Sequence, residues 1–437
     1  MLLNPYRFGS SDAETAGYWI ANLGGALADT SGAYRSVGVD PGGNIYVAGQ
    51  TASSGAGGSD LVVAKYNHAG TLQWQRVLGG TSDDYARGIA VDESGNIYIA
   101  GAAASIGSGG FDLLVAKYNT SGALQWQRIL GGASADYGYG VALSGSGVYV
   151  SGESSSQGSG ANDILVVKYD SNGALQWQRV LGGAASEVGY GCAASASDEL
   201  YVAGSSGSSG SINAVLAKVA ANGSFTWARE LAGAGVDFAY GASIDSSGNI
   251  YVAGTTDTSG GSGYNALLAK FDSSGVLLWQ RTLGGSGGDY FQQPFVHGSS
   301  VYVIGRSDSQ GSGLADLLIA RYTSTGTLEW QRVLGGTAFD GGVGLAIDSS
   351  GAMVISGTSA SSGQGGNDLL IARLPGDGSK TGVYGAYTYA ASTLTGSTSS
   401  LPAQSPSLVA NNATLTSGAG SLTEAAGSLA TAKIMVS

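Results

Sequence analysis

The chain has 437 residues, 43% apolar and 11% charged, with 76 Gly, 6 Pro and a formal net charge of −12. Glycine at more than twice its usual share, without a G-X-Y period, a long apolar run or coiled-coil heptads, excludes collagen-like fibres and spanning helices. The acidic balance disfavours nucleic-acid and membrane-surface partners, and a single cysteine, Cys192, excludes a disulfide framework and any CxxC metal or redox site.

In chain order, residues 1–17 read as an N-terminal arm. The opening MLLNPYRFGSSDAETAGYW has no basic region followed by an apolar stretch, so a protein that folds in the cytoplasm is expected. Tyr18 to Gly25, YWIANLGG, reads as a lone strand, and behind it the sequence repeats. The tryptophans, Trp19, Trp74, Trp126, Trp177, Trp227, Trp279 and Trp330, are spaced by 55, 52, 51, 50, 52 and 51 residues. The glycine closing NIYVAG and its variants recurs at Gly49, Gly101, Gly152, Gly204, Gly254, Gly305 and Gly357. Each copy holds four short β-branched or aromatic stretches, in the second copy YARGIAVD, NIYIAGAA, DLLVAKYN and LQWQRILGG. Between them ESGN and NTSG supply the Asx, Ser and Gly that hairpins need.

The last copy, GGVGLAID, AMVISGTS and DLLIARL, ends at Leu374 with three strands, and YWIANLGG supplies the fourth. The 357 residues from Tyr18 to Leu374 divide into seven copies of 51. The fold expected is all-β: a seven-bladed β-propeller over residues 18–374, four antiparallel strands per blade, clasped by the N-terminal strand so that no sheet edge stays open between first and last blades.

The combination GNIYVAG, D(L/I)LVAKY and LQWQR(V/I)LGG resembles the SBBP repeat, a family named for its seven-bladed β-propellers, over about four-fifths of the chain. The resemblance implies the fold. Because the family is best known from microbial surface and extracellular proteins with varied roles, it implies no particular activity.

Charged residues fall in columns. Basic ones follow Trp at Arg76, Arg128, Arg179, Arg229, Arg281 and Arg332, and lie in the third strand at Lys65, Lys117, Lys168, Lys218, Lys270, Arg321 and Arg373. Acids or amides open the third strand (Asp60, Asp112, Asp163, Asn213, Asn265, Asp316, Asp368) and follow LGG (Asp84, Asp136, Glu187, Asp237, Asp289, Asp340). Catalysis needs one asymmetric site, so groups repeated in every blade are read as ion pairs and hydrogen bonds between strands and blades, and the Trp and Tyr columns as core.

A site is expected where the repeat breaks. Five residues before the end of each first strand stand Arg35, Arg87, Tyr139, Tyr190, Tyr240, Gln292 and Val343, a column that would line one mouth of the central channel and either merely caps a water-filled channel or holds a small anion or a glycan. Blade 6 departs furthest, with Phe291, Gln293, Pro294, Phe295 and His297; Pro fits because an innermost strand is an edge. Neither His68 nor His297 stands in a nucleophile–base–acid pattern, no Walker, HExxH or EF-hand spacing occurs, and Cys192 reads as a small core residue. The Gly/Ser loops between second and third strands read as spacers or self-packing rims.

Residues 375–437 change to Ala, Ser, Thr, Gly and Leu, with pieces such as SLVANNATLTS and AKIMVS that read as strands completed by a partner: a C-terminal docking tail. The function expected is non-enzymatic, a structural or interaction protein of a virion, a phage tail or capsid-surface propeller assembled in the host cytoplasm and joined to other structural proteins through its tail. The alternative is an extracellular or cell-surface adhesin or lectin-like propeller that takes a glycan or host-surface ligand. No cofactor, metal or membrane insertion is expected.

Overall fold

Strands two and three of every blade are apolar at successive positions, because both faces of each sheet pack against a neighbouring blade; Ile97–Ala103 and Asp112–Tyr118 are buried almost throughout. The computed structural model describes residues 17–32, 34–145, 147–207, 211–233, 235–257 and 263–398, and beyond them 403–404, 409–412, 416–419, 423–426 and 430–436. It contains seven sheets built on the expected four strands, as in blade 2 with Asp84–Val91, Ile97–Ala103, Asp112–Tyr118 and Leu124–Gly131. The described residues include no helix, hence none long and apolar enough to cross a membrane. The clasp forms as the strand count requires: Tyr18–Gly24 lies antiparallel to Asp368–Leu374, with Trp19 opposite Arg373 and Leu23 opposite Leu369. The N-terminal arm lies, apart from Gly17, outside the described residues.

The repeated columns tie blade to blade. The indole N–H of Trp74 donates to the Thr120 carbonyl in the third turn of blade 2 (3.1 Å), and Arg76 Nε donates to Gly122 of the same turn (3.0 Å). Arg128, Arg229, Arg281 and Arg332 repeat this onto Gly173, Gly275, Gly326 and Gly378. These arginines therefore cap backbone carbonyls of the next blade. In the other basic column Lys65, Lys117 and Lys168 lie 5.3, 5.0 and 4.8 Å from the Tyr rings opposite, a cation–π contact, and some members add an ion pair, such as Arg373 with Asp348 at 2.8 Å. Trp19 is fully buried, and the other six tryptophans are half-buried along the outer strands, each packed against a hydrophobic cluster between blades. The acid after LGG accepts the N–H of the second Gly in every blade, at 2.9 Å from Gly80 to Asp84. Asp29 is the seventh member of that column, accepting from Gly25 at 2.7 Å. Each third-strand acid folds its own loop, accepting the N–H of Ala56 at Asp60 and of Ser108 at Asp112, so the Gly/Ser loops of those blades are self-packing.

The tail docks, but on its own chain. After Leu374 it forms a hairpin, Gly382–Tyr384 and Tyr387–Ala391, whose second strand pairs with the fourth strand of blade 6. It then runs against chain order, adding Thr395–Thr398 to blade 5, Ala403–Gln404 to blade 4, Val409–Asn412 to blade 3, Thr416–Ala419 to blade 2 and Thr423–Ala426 to blade 1. Ala430–Val436 finally covers Tyr18–Gly24. The expectation that a partner completes these strands is corrected: each blade's outer strand would be an open edge without the tail, and the tail of the same chain pairs with it. The start is fixed by Tyr387, fully buried, whose hydroxyl bridges Asn22 and Ser359 at 2.8 Å each.

Candidate functional site

The first strands close an inner ring around the axis, and in six of them a β-bulge aims one side chain into it. In six blades the pairing with the second strand skips a residue, between Ala86 and Gly88, Gly138 and Gly140, Gly189 and Gly191, Ala239 and Gly241, Phe291 and Gln293, and Gly342 and Gly344. The skipped residues are Arg87, Tyr139, Tyr190, Tyr240, Gln292 and Val343. A residue surplus to the ladder has no partner opposite, and its side chain is redirected. The glycine after the bulge is required by the neighbouring blade: a Cβ on Gly191 or Gly241 would stand 2.5 Å from the carbonyl oxygen of Tyr240 or Gln292.

Blade 1 departs from this. Asp29 to Asp40 spans eleven positions where Asp84 to Asp92 and its counterparts span eight. The surplus splits the first strand into Asp29–Ser31 and Val37–Val39 and lies across blade 2, where Tyr34 N–H donates to the Arg87 carbonyl (3.1 Å) and Ile89 N–H to that of Arg35 (2.7 Å). Tyr34 thereby reaches over the channel. Its ring sits 5.2 Å from those of both Tyr139 and Tyr190, and Tyr190 stands 5.6 Å from Tyr240. The column read from the sequence is thus brought together, with Tyr34 as a plug that the column did not include; the longer Asp29–Asp40 spacing was its signal.

A second aromatic row rims the mouth one step out: Tyr85, Phe111, Tyr137 and Phe238, with Tyr85 to Phe111 and Phe111 to Tyr137 at 5.2 Å and Tyr137 parallel to Tyr139 at 5.9 Å. Two charged residues enter from the position after the NIYVAG glycine, a column that is small or polar in the other blades. Glu153 is buried and accepts from the Tyr139 hydroxyl (2.7 Å) and from Asn162 Nδ2 (3.2 Å); burial raises its pKa above the usual carboxylate value, and those donors and Arg87 oppose the rise. Arg306 lies 4.5 Å over the Tyr290 ring. Arg87 lies 5.0 Å over Tyr85, and its Nε has no acceptor.

Deeper in, Tyr34, Arg35, Tyr240, Gln292, Gln293 and Cys192 line a cavity of about 20 Å³. Burial pushes the Cys192 thiol up to about 11, as suits an inert core residue. His297 is exposed at the far end of its strand, five residues and about 17 Å beyond the Gln292 level. Among the described residues no group of three His, Cys, Asp or Glu side chains could hold a metal ion.

Ring closure, four-stranded blades and an axial channel define a seven-bladed β-propeller. Residues 73–105 and 226–261 match the SBBP family, described as a β-propeller repeat, and the remaining copies are similar to those two in pattern. No curated protein matches the chain. Among solved structures it is similar to a gluconolactonase from Xanthomonas campestris (12% identity, 69% of this chain and 90% of that one, TM-score 0.38). It is also similar to an endo-arabinase from Bacteroides thetaiotaomicron (14%, 52% and 89%, TM-score 0.30) and to a GH43_12 protein from a capybara gut metagenome (9%, 76% and 76%, TM-score 0.24). At these scores the likenesses carry no argument about chemistry.

Proposed function

We propose that the chain is a non-enzymatic structural and interaction protein, a rigid ring whose contacts with other proteins are made through its faces. The observation that carries this reading is the belt: with a fifth strand on all seven blades, the outer strands are covered by the chain itself, which suits a scaffold element and leaves the faces for partners. In its more specific form the proposal places the ring in a virion, as a tail or capsid-surface component; the acidic, disulfide-free, Ser- and Gly-rich composition supports it. Imaging the protein in its native source tests this. Copies arranged symmetrically in a particle are expected; a freely diffusing monomer in every fraction overturns it.

A second reading, a glycan-binding propeller of the cell surface or extracellular space, is favoured by one observation, the double aromatic row at the channel mouth. Retention of a glycan that is lost on Tyr137→Ala would select it over the scaffold reading.

A further inference from the structure

We propose that the channel binds one small monovalent anion, of chloride or formate size, against Arg35 at the level of Tyr240 and Gln292. Arg35 lies within the inner ring, yet among the described residues its side chain makes neither an ion pair nor a hydrogen bond, and its Nε is shut off from solvent without an acceptor. No Asp or Glu lines the cavity. The acids at the mouth are already engaged, Glu153 by Tyr139 and Asn162, Asp83 by Tyr85 and Asp308 by Arg306. A guanidinium stays protonated at any physiological pH, and that of half-buried Arg35 is partly withdrawn from water without a counter-charge, which favours an anion beside it.

The remaining lining supplies what an anion needs. Gln292 Oε1 is unpartnered, and turning that amide presents its Nε2 to the same space. Burial pulls the Arg35 pKa below its usual value, the direction expected of a cation that lacks a partner. The room beside Arg35, about 20 Å³, suits one water-sized or chloride-sized species. The inference is independent of the scaffold reading, since a sealed ring and a glycan binder would hold the ion equally.

The test uses the full chain. The 35Cl line width of a chloride solution is measured with the wild type, with Arg35→Gln and with Lys380→Gln, an exposed charge-matched control. Wild type and control are expected to show the same excess broadening, and Arg35→Gln to bind chloride about tenfold or more weakly. Crystals grown in bromide read the position directly, by an anomalous peak within hydrogen-bond reach of Arg35. Should Arg35→Gln not fold, Gln292→Leu and the bromide map serve in its place. Excess broadening that survives Arg35→Gln, or a water at Arg35 in bromide crystals with no anomalous peak, overturns the proposal.

Discussion

Alanine at Gly122 would test whether the blades are locked by the tryptophan of one against the turn of the next. Gly122 has φ +78°, and a Cβ there would stand 2.8 Å from Cδ2 of Trp74 in the preceding blade. Left-handed backbone costs a non-glycine residue about 1–2 kcal/mol. Displacing a packed indole, which also hydrogen-bonds Thr120, adds about 1–3 kcal/mol. Gly122→Ala should therefore destabilise by about 2–5 kcal/mol. Gly351 is the control: φ is +83°, but nothing lies within 4 Å of its Cβ position, so Gly351→Ala should cost only the backbone share, about 1–2 kcal/mol. Urea unfolding followed by far-UV circular dichroism measures both, and the indole fluorescence of Gly122→Ala should shift in the native baseline. Equal costs for the two variants would refute the account, because the difference between them isolates the inter-blade contact.

Acid should stabilise the ring. Burial raises the carboxyls of Asp60, Asp112, Asp163, Asp316 and Asp368 to about 6, above their unfolded value of 3.8, so the folded state binds more protons between those limits. Their contribution is complete below the unfolded pKa and lost as pH rises through 6; the urea midpoint should climb from pH 7.5 to pH 5, and a falling midpoint would contradict the burial argument. Cys192 lines the plugged cavity, so a disulfide reagent should label it slowly at pH 8 and about tenfold or more faster in Tyr34→Ala; unchanged labelling would mean that Tyr34 does not close the channel. Ending the chain at Thr381 uncovers the outer strands, and the truncated ring should self-associate in sedimentation velocity while full-length protein does not. Leu394→Ala, at a belt side chain 5% exposed in the core between blades 5 and 6, should cost about 2–5 kcal/mol in the same urea assay.

The tail carries a pattern of its own. Ser-Leu or Thr-Leu pairs at Thr393, Ser400, Ser407, Thr414, Ser421 and Ser428 recur every seven residues, and a strand begins just after each. A period of seven in a segment too polar for a coiled coil marks one step per blade. Glu153 was equally visible as the acid in an otherwise uncharged or basic column, but a single odd residue has no meaning until the channel places it beside Tyr139.

What the sequence determined by itself was everything that repeats: seven copies, four strands in each, the turn glycines and the N-terminal clasp. Each is a local demand, made by alternation, by a positive φ or by the strand count, and stated seven times over. Tertiary structure alone decided the rest. Backbone pairing carries almost no side-chain code, so only the exposed outer edges could show that the tail closes on its own ring. Whether Arg35 has a counter-charge depends on side chains from blades 3, 4, 5 and 6, which are distant in sequence and meet only once the ring is shut.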